Sequence, residues 1–195
     1  MKKPIISLLL IITFLMVIDP VQAQTPYHIK SEKITVAGSS SLHDWVSEVT
    51  TVEWSGSLKL VDGQLTDVAS VRVKIPVTSI KSDNGRIMDG KTYDAFNSEK
   101  YPTITYQMSE ATLSGDVIKA TGTLTMAGAS KVISLDVKAS VISAGDVQLT
   151  GSYTLNMRDY KMTPPTAVMG TIKVGEEVTI NFDLTLSPGQ GISKK

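Results

Sequence analysis

The residues best equipped for chemistry lie in one stretch, Gly38-Ser39-Ser40-Ser41-Leu42-His43-Asp44-Trp45, where one of the chain's two histidines stands beside three serine hydroxyls and a carboxylate. A histidine that takes a proton from a serine while a carboxylate orients its imidazole would make a hydrolase, here an esterase. The spacing argues against it. His43 and Asp44 are neighbours, and successive side chains of an extended strand point to opposite faces, so this carboxylate cannot hold this imidazole directly. There is also no Gly-x-Ser-x-Gly elbow to lift a serine out of a strand-to-helix turn. The expectation is structural: Trp45 plugs the core, and His43 is a hydrogen-bonded residue of the core or its rim.

Metal chemistry fares no better. His28 and His43 are far apart in sequence and lack a ligand spacing of the usual kind, and the chain has no cysteine. Asp83, Asp89 and Asp94 do not follow the D-x-D-x-D-G pattern of a calcium loop and read as solvated charges. No glycine-rich phosphate cradle occurs. The absence of cysteine also excludes disulfides and a thiol nucleophile. With 19 basic and 19 acidic residues, and only Arg72, Arg86 and Arg158 as arginines, the chain carries no nucleic-acid footprint.

The elements that would carry any site follow from alternation. Ile172, Val174, Val178, Ile180, Phe182, Leu184 and Leu186 fall on one face of a final strand whose other face is polar, with Gly175-Glu176 as a bulge or bend. Leu65, Ala69, Val71, Val73, Ile75 and Val77 form a second such face, and Val147, Leu149, Tyr153, Leu155 and Met157 a third. Weaker alternation covers 31–40, 42–61, 102–112, 115–127 and 130–143, punctuated by turns such as Val61-Asp62-Gly63 and Ala144-Gly145-Asp146. About eight strands joined by short turns must be antiparallel, and their length favours a coiled sheet that closes on itself. The fold class is therefore all-β, an eight-stranded antiparallel barrel, which has room inside either for side chains or for one small ligand.

Between residues 86 and 96 alternation stops and a short helix is expected, capped by Ser82 or Asp83, with Ile87, Met88, Tyr93, Ala95 and Phe96 laid over one end of the barrel. Tyr101-Pro102 returns the chain to a strand. The loop from Met157 to Met169 is long for a hairpin, a property of functional or mobile loops. The inward positions expected to meet a ligand are Trp54, Val73, Ile75, Phe96, Tyr106, Met108, Leu124, Met126, Tyr153, Leu155, Met157 and Phe182, the methionines being able to fit an irregular partner.

The N-terminus sets the compartment. Lys2 and Lys3 precede an apolar run from Ile5 to Ile18, and small residues follow at Val21 and Ala23, the pattern of a signal peptide cleaved after Ala23. The run is shorter than the roughly 20 residues needed to span a bilayer, so stable membrane insertion is not expected. Residues 24–195 would then form a single exported domain, periplasmic or, alternatively, secreted.

Four segments in order carry a family resemblance. Met88-Asp89-Gly90-Lys91-Thr92-Tyr93-Asp94-Ala95-Phe96 with Lys100-Tyr101-Pro102, Gly122-Thr123-Leu124-Thr125-Met126-Ala127-Gly128-Ala129-Ser130-Lys131, Arg158-Asp159-Tyr160-Lys161-Met162 and Lys173-Val174-Gly175-Glu176-Glu177-Val178 resemble segments of the YceI family. The resemblance implies a lipocalin-like barrel with an elongated apolar cavity that binds polyisoprenoid or other long-chain lipid in the periplasm. It implies no catalytic residue. No cofactor is expected from the residues, and the sequence leaves a homodimer open. The Ser-Leu-His-Asp-Trp stretch is more polar than the family pattern. Two readings follow: a carrier or reservoir for a long isoprenoid or acyl lipid, and a non-enzymatic structural or stress-related interaction module with a filled barrel.

Overall fold

The computed structural model describes residues 24–83, 85–143 and 145–189; the leader expected over residues 1–23 lies outside the described residues. The alternating segments form β1 (Thr25–Ser40), β2 (Trp45–Val49), β3 (Glu53–Val61), β4 (Gln64–Pro76), β5 (Ile80–Ser82), β6 (Thr103–Ser114), β7 (Val117–Met126), β8 (Ala129–Ser143), β9 (Asp146–Asn156), β10 (Thr166–Ala167) and β11 (Ile172–Pro188), with α1 at Arg86–Phe96. Every pairing is antiparallel, and β11 pairs with β1 from Tyr27↔Pro188 to Ser40↔Val174, which closes the barrel. Counting β2 and β3 as one broken stave, eight staves surround the interior in the order β1, β3, β4, β6, β7, β8, β9, β11. β5 and β10 are short additions at the end that carries α1.

The expected bulge in the last strand is present. Gly38 pairs with Val178 but Ser40 with Val174, so β11 holds two more residues than β1 across the interval containing Gly175-Glu176. The hairpin at Asp62-Gly63 has φ of 52° and 74°, the left-handed pair that an Asp-Gly hairpin turn supplies. The single strand expected over 42–61 divides instead. At the break, the Thr50 N–H donates to the Ser79 carbonyl (2.9 Å) and Ser79 Oγ to the Thr51 carbonyl (3.1 Å). Hydrogen bonding thus passes from β1 to the 3-10 turn Val77–Ser79, a partner 28 residues away that local alternation does not reveal.

The helix lies where it was expected, but its details differ. Gly85, with φ of 75°, is the N-cap residue rather than Ser82 or Asp83. Asp89 instead reaches back, its Oδ1 accepting the Ser82 N–H at 2.8 Å and its Oδ2 lying 3.6 Å from Lys81 Nζ. Ile87 was expected over the barrel end and is 78% exposed. Tyr93 turns toward β5, donating to the Thr78 carbonyl (3.0 Å) and accepting from Lys81 Nζ (2.6 Å), so of the five apolar residues expected there Met88, Ala95 and Phe96 face inward.

The far end, here called the floor, is packed solid. Leu58, Val147 and Leu186 have no exposed surface. Full burial of such side chains contributes about 1.5–3 kcal/mol each. Around them Tyr27 donates to the Gly145 carbonyl at 2.9 Å, while Asp146 accepts from Lys30 Nζ and from Ser187 Oγ, both at 2.6 Å. Three staves, β1, β9 and β11, are tied together there.

Candidate functional site

Period-2 alternation sends every second side chain of a closed barrel inward. Above the floor two apolar spaces remain among them, sharing Ile104 and Ile180 in their walls. The floor chamber, about 170 Å³, is lined by Trp54, Val73, Ile75, Tyr106, Met108, Leu124, Tyr153 and Phe182 among others. The helix chamber, about 90 Å³, lies under α1 and is lined in part by Phe96, Met126, Leu155 and Met157. All twelve positions named from the sequence therefore border the interior, divided between two spaces that the sequence did not distinguish.

The chambers differ in chemistry. The polar atoms around the floor chamber belong to aromatic side chains at its wall; the Tyr106 hydroxyl donates to the Ala120 carbonyl (3.4 Å), and burial raises its pKa. The helix chamber adds Ser47, Ser82, Lys91 and Thr92 to an apolar lining that includes Met88, Met162 and Pro165. Lys91 Nζ donates to the Thr166 carbonyl at 2.5 Å, fastening α1 to the strap that follows β9. Met162 and Pro165 of that strap roof the chamber, which accounts for the length of the 157–169 connection. It begins with a 3-10 turn at Met157–Tyr160, where Asn156 Oδ1 accepts the Arg158 N–H at 2.9 Å.

Two kinds of residue escaped the sequence reading. Ile104 and Ile180 border both chambers. The glycines Gly122 and Gly151 make room for rings: a Cβ on Gly122 would stand 2.5 Å from the Gln107 carbonyl oxygen and 2.7 Å from the Tyr106 ring, and one on Gly151 would stand 2.5 Å from the Phe182 ring. The signal was present, because glycine inside a strand marks a close approach. Both glycines stand in like settings, Thr121-Gly122-Thr123 and Thr150-Gly151-Ser152, and serve the same device.

Trp45 is not a core plug. It is half-buried at the wall of the helix chamber, its ring against Gly38 and its Nε1–H donating to the Ser39 carbonyl at 3.1 Å. His43 is an exposed rim residue whose Nδ1 lies 2.7 Å from the Asp44 carbonyl oxygen. Ser40 Oγ donates to the His43 carbonyl (2.7 Å) and accepts from the Leu42 and His43 N–H groups (3.2 Å each). The polar stretch is tied to its own backbone and, through Ser41, to β11, where the Ser41 N–H donates to the Lys173 carbonyl (2.9 Å) and Ser41 Oγ accepts the Lys173 N–H (3.0 Å); no serine, imidazole and carboxylate are aligned within it. Among the described residues no three of His, Asp and Glu gather as a metal-binding group.

Tyr160, only 1% exposed, packs behind the helix chamber with its hydroxyl buried and without a hydrogen-bond partner. Burial, with help from Tyr153 and Asp159, pushes its pKa up to about 12.

A model of the YceI-like domain matches residues 27–186. No curated protein matches the chain. Among solved structures, BcnA of Burkholderia cenocepacia is 19% identical with a TM-score of 0.65, over 79% of this chain and 95% of that one. A polyisoprenoid-binding domain from Saccharophagus degradans, implicated in plant cell wall breakdown, is 14% identical with a TM-score of 0.64, over 84% and 98% of the two chains. The Campylobacter jejuni YceI protein is 20% identical with a TM-score of 0.61, over 74% and 84%. At these identities the likeness concerns the fold.

Proposed function

Because the chain belongs to the YceI-like domain family, we propose that its barrel encloses the tail of a long-chain apolar lipid, isoprenoid or acyl, and that it serves as a periplasmic carrier or reservoir exported by the leader at residues 1–23. The observation that carries this reading is the floor chamber, an unfilled space walled by aliphatic, aromatic and methionine side chains above a packed floor. Water gains little in such a space, whereas a tail placed there stabilises the complex by about 0.8 kcal/mol per buried methylene. The polar groups of the helix chamber, Ser47, Ser82, Lys91 and Thr92, supply a place for a head group at the opposite end. The polyisoprenoid binding attributed to the Saccharophagus degradans domain agrees with this assignment.

The twelve inward positions, from Trp54 to Phe182, are the residues assigned to the lipid. They offer no nucleophile paired with a base, and the reading is of a binding protein rather than an enzyme. The test is purification from the native periplasm followed by mass spectrometry of extracted lipid. A stoichiometric long-chain lipid is expected. Lipid-free protein whose melting temperature is unmoved by added prenyl alcohols and fatty acids would overturn the proposal.

A further inference from the structure

We propose that Ile104 and Ile180 form a neck between the two chambers, and that this neck decides which lipid tails reach the floor: a single thin chain passes, while a fused-ring sterol or a pair of tails side by side does not. The inference rests on the lipid-carrier reading and deepens it.

The stave order places β6 and β11 four positions apart in either direction around an eight-stave barrel, so Ile104 and Ile180 project from opposite walls. They also lie at one level. Along β11, Val178 borders only the helix chamber, Ile180 both, and Phe182 only the floor chamber. The same boundary falls between Ile34 and Val36 on β1, between Leu124 and Met126 on β7, and between Tyr153 and Leu155 on β9. Pairing joins these rows, with Ile180 opposite Val36 on one side and Tyr153 on the other. Five positions, one on each of β1, β6, β7, β9 and β11, thus define one level across the barrel, and the two isoleucines lie in it.

The residue type matters. Isoleucine is branched at Cβ and stiff at χ1, so it cannot fold aside as an unbranched side chain does. The walls above and below the plane carry adaptable methionines, Met126, Met157 and Met162 on the helix side and Met108 on the floor side. The helix chamber is therefore compliant and the neck stiff, and the β-branched Val68, Val71, Val73 and Ile75 keep the floor chamber's wall stiff as well, so a tail must be narrow from the neck downward.

The experiment compares binding of a six-carbon alcohol, a twenty-carbon linear prenyl alcohol, cholesterol and a two-chain phosphatidylcholine to the wild type, to I104F/I180F and to I104M/I180M. The phenylalanine pair is expected to weaken the twenty-carbon alcohol at least tenfold and the six-carbon alcohol less than twofold. The methionine pair, of similar volume and hence expected to fold, should admit cholesterol at least fivefold better than wild type does. Unchanged ratios of long to short ligand and of sterol to linear ligand in both variants would overturn the neck while leaving the carrier reading intact. Xenon-pressurised crystals test the neck without lipid: two separate sites are expected in wild type and one merged site in I104A/I180A, and a single merged site in wild type would also overturn it. If wild type retains no lipid yet shows two xenon sites, the carrier reading fails and the neck stands.

Discussion

At the floor, fully buried Leu58, Val147 and Leu186 are clasped by Tyr27, Lys30, Asp146 and Ser187, whereas at the helix end the barrel is roofed by a short helix and a strap joined through Lys91 and Thr166. The helix end also exposes Leu42, Ile87, Val168 and Met169, and it holds Val168 and Met169 at φ of 49° and 53°. The four-residue turn over 168–171 holds Gly170 in the left-handed region as well (φ 89°), and a β-branched valine in that conformation is strained. The contrast teaches where stability and access are separated. The floor closes through burial and paired polar groups. The roof closes through a few hydrogen bonds and a turn whose residues disfavour their conformation, so it is the end with the lower cost of opening.

The largest effect should come from the floor. Leu186→Ala is expected to lower the free energy of unfolding by about 2–5 kcal/mol, the range for emptying a packed core site, measured by urea denaturation. Ile87→Ala on the roof should change it by no more than about 0.5 kcal/mol. Equal losses would erase the distinction between the ends.

Relieving the turn comes next. Replacing Val168-Met169 by Asn-Gly is expected to raise stability by about 1–3 kcal/mol, since each left-handed residue costs on this order. A neutral or destabilising result in the same denaturation assay would mean that the turn is not strained.

Tyr160→Phe is expected to stabilise the protein by about 1 kcal/mol at neutral pH, because it removes a buried hydroxyl that has no partner. The pH dependence has a definite sign. The folded pKa of about 12 lies above the ordinary tyrosine value of 10, so the folded state holds its proton more tightly, and wild-type stability should fall as pH rises from 10 toward 12. In the phenylalanine variant this fall should be smaller; an identical slope would assign the titration to another group.

The smallest effect is electrostatic. Hydrogen bonds from Lys30 and then from Ser187 hold the Asp146 carboxyl below its ordinary pKa. A depressed carboxylate contributes stability above its unfolded pKa and loses it as pH falls through the folded one. Wild type should therefore lose stability on acidification below about pH 4, the ordinary carboxylate value, and Asp146→Asn should flatten that dependence. Parallel acid profiles would show that the clasp is not coupled to this proton.

How much was legible varied with the range of the interaction concerned. The bulge at Gly175-Glu176 and the Asp62-Gly63 turn depend on neighbours in the chain, and both stood where the residue types placed them. The division of 42–61 depends on Ser79, and the role of Trp45 on Gly38 across the β1–β2 pair, so neither could be read from local alternation. Ile87 fits the apolar pattern of its helix, yet α1 turns it to solvent.

By itself the sequence determined which side chains face inward, because the period of an extended backbone is two residues whatever it pairs with. Only the tertiary structure decided at what height each one sits and what faces it across the axis. Closing eight staves with a particular stagger is a non-local event, and that closure set Ile104 opposite Ile180 and divided one apolar interior into two chambers.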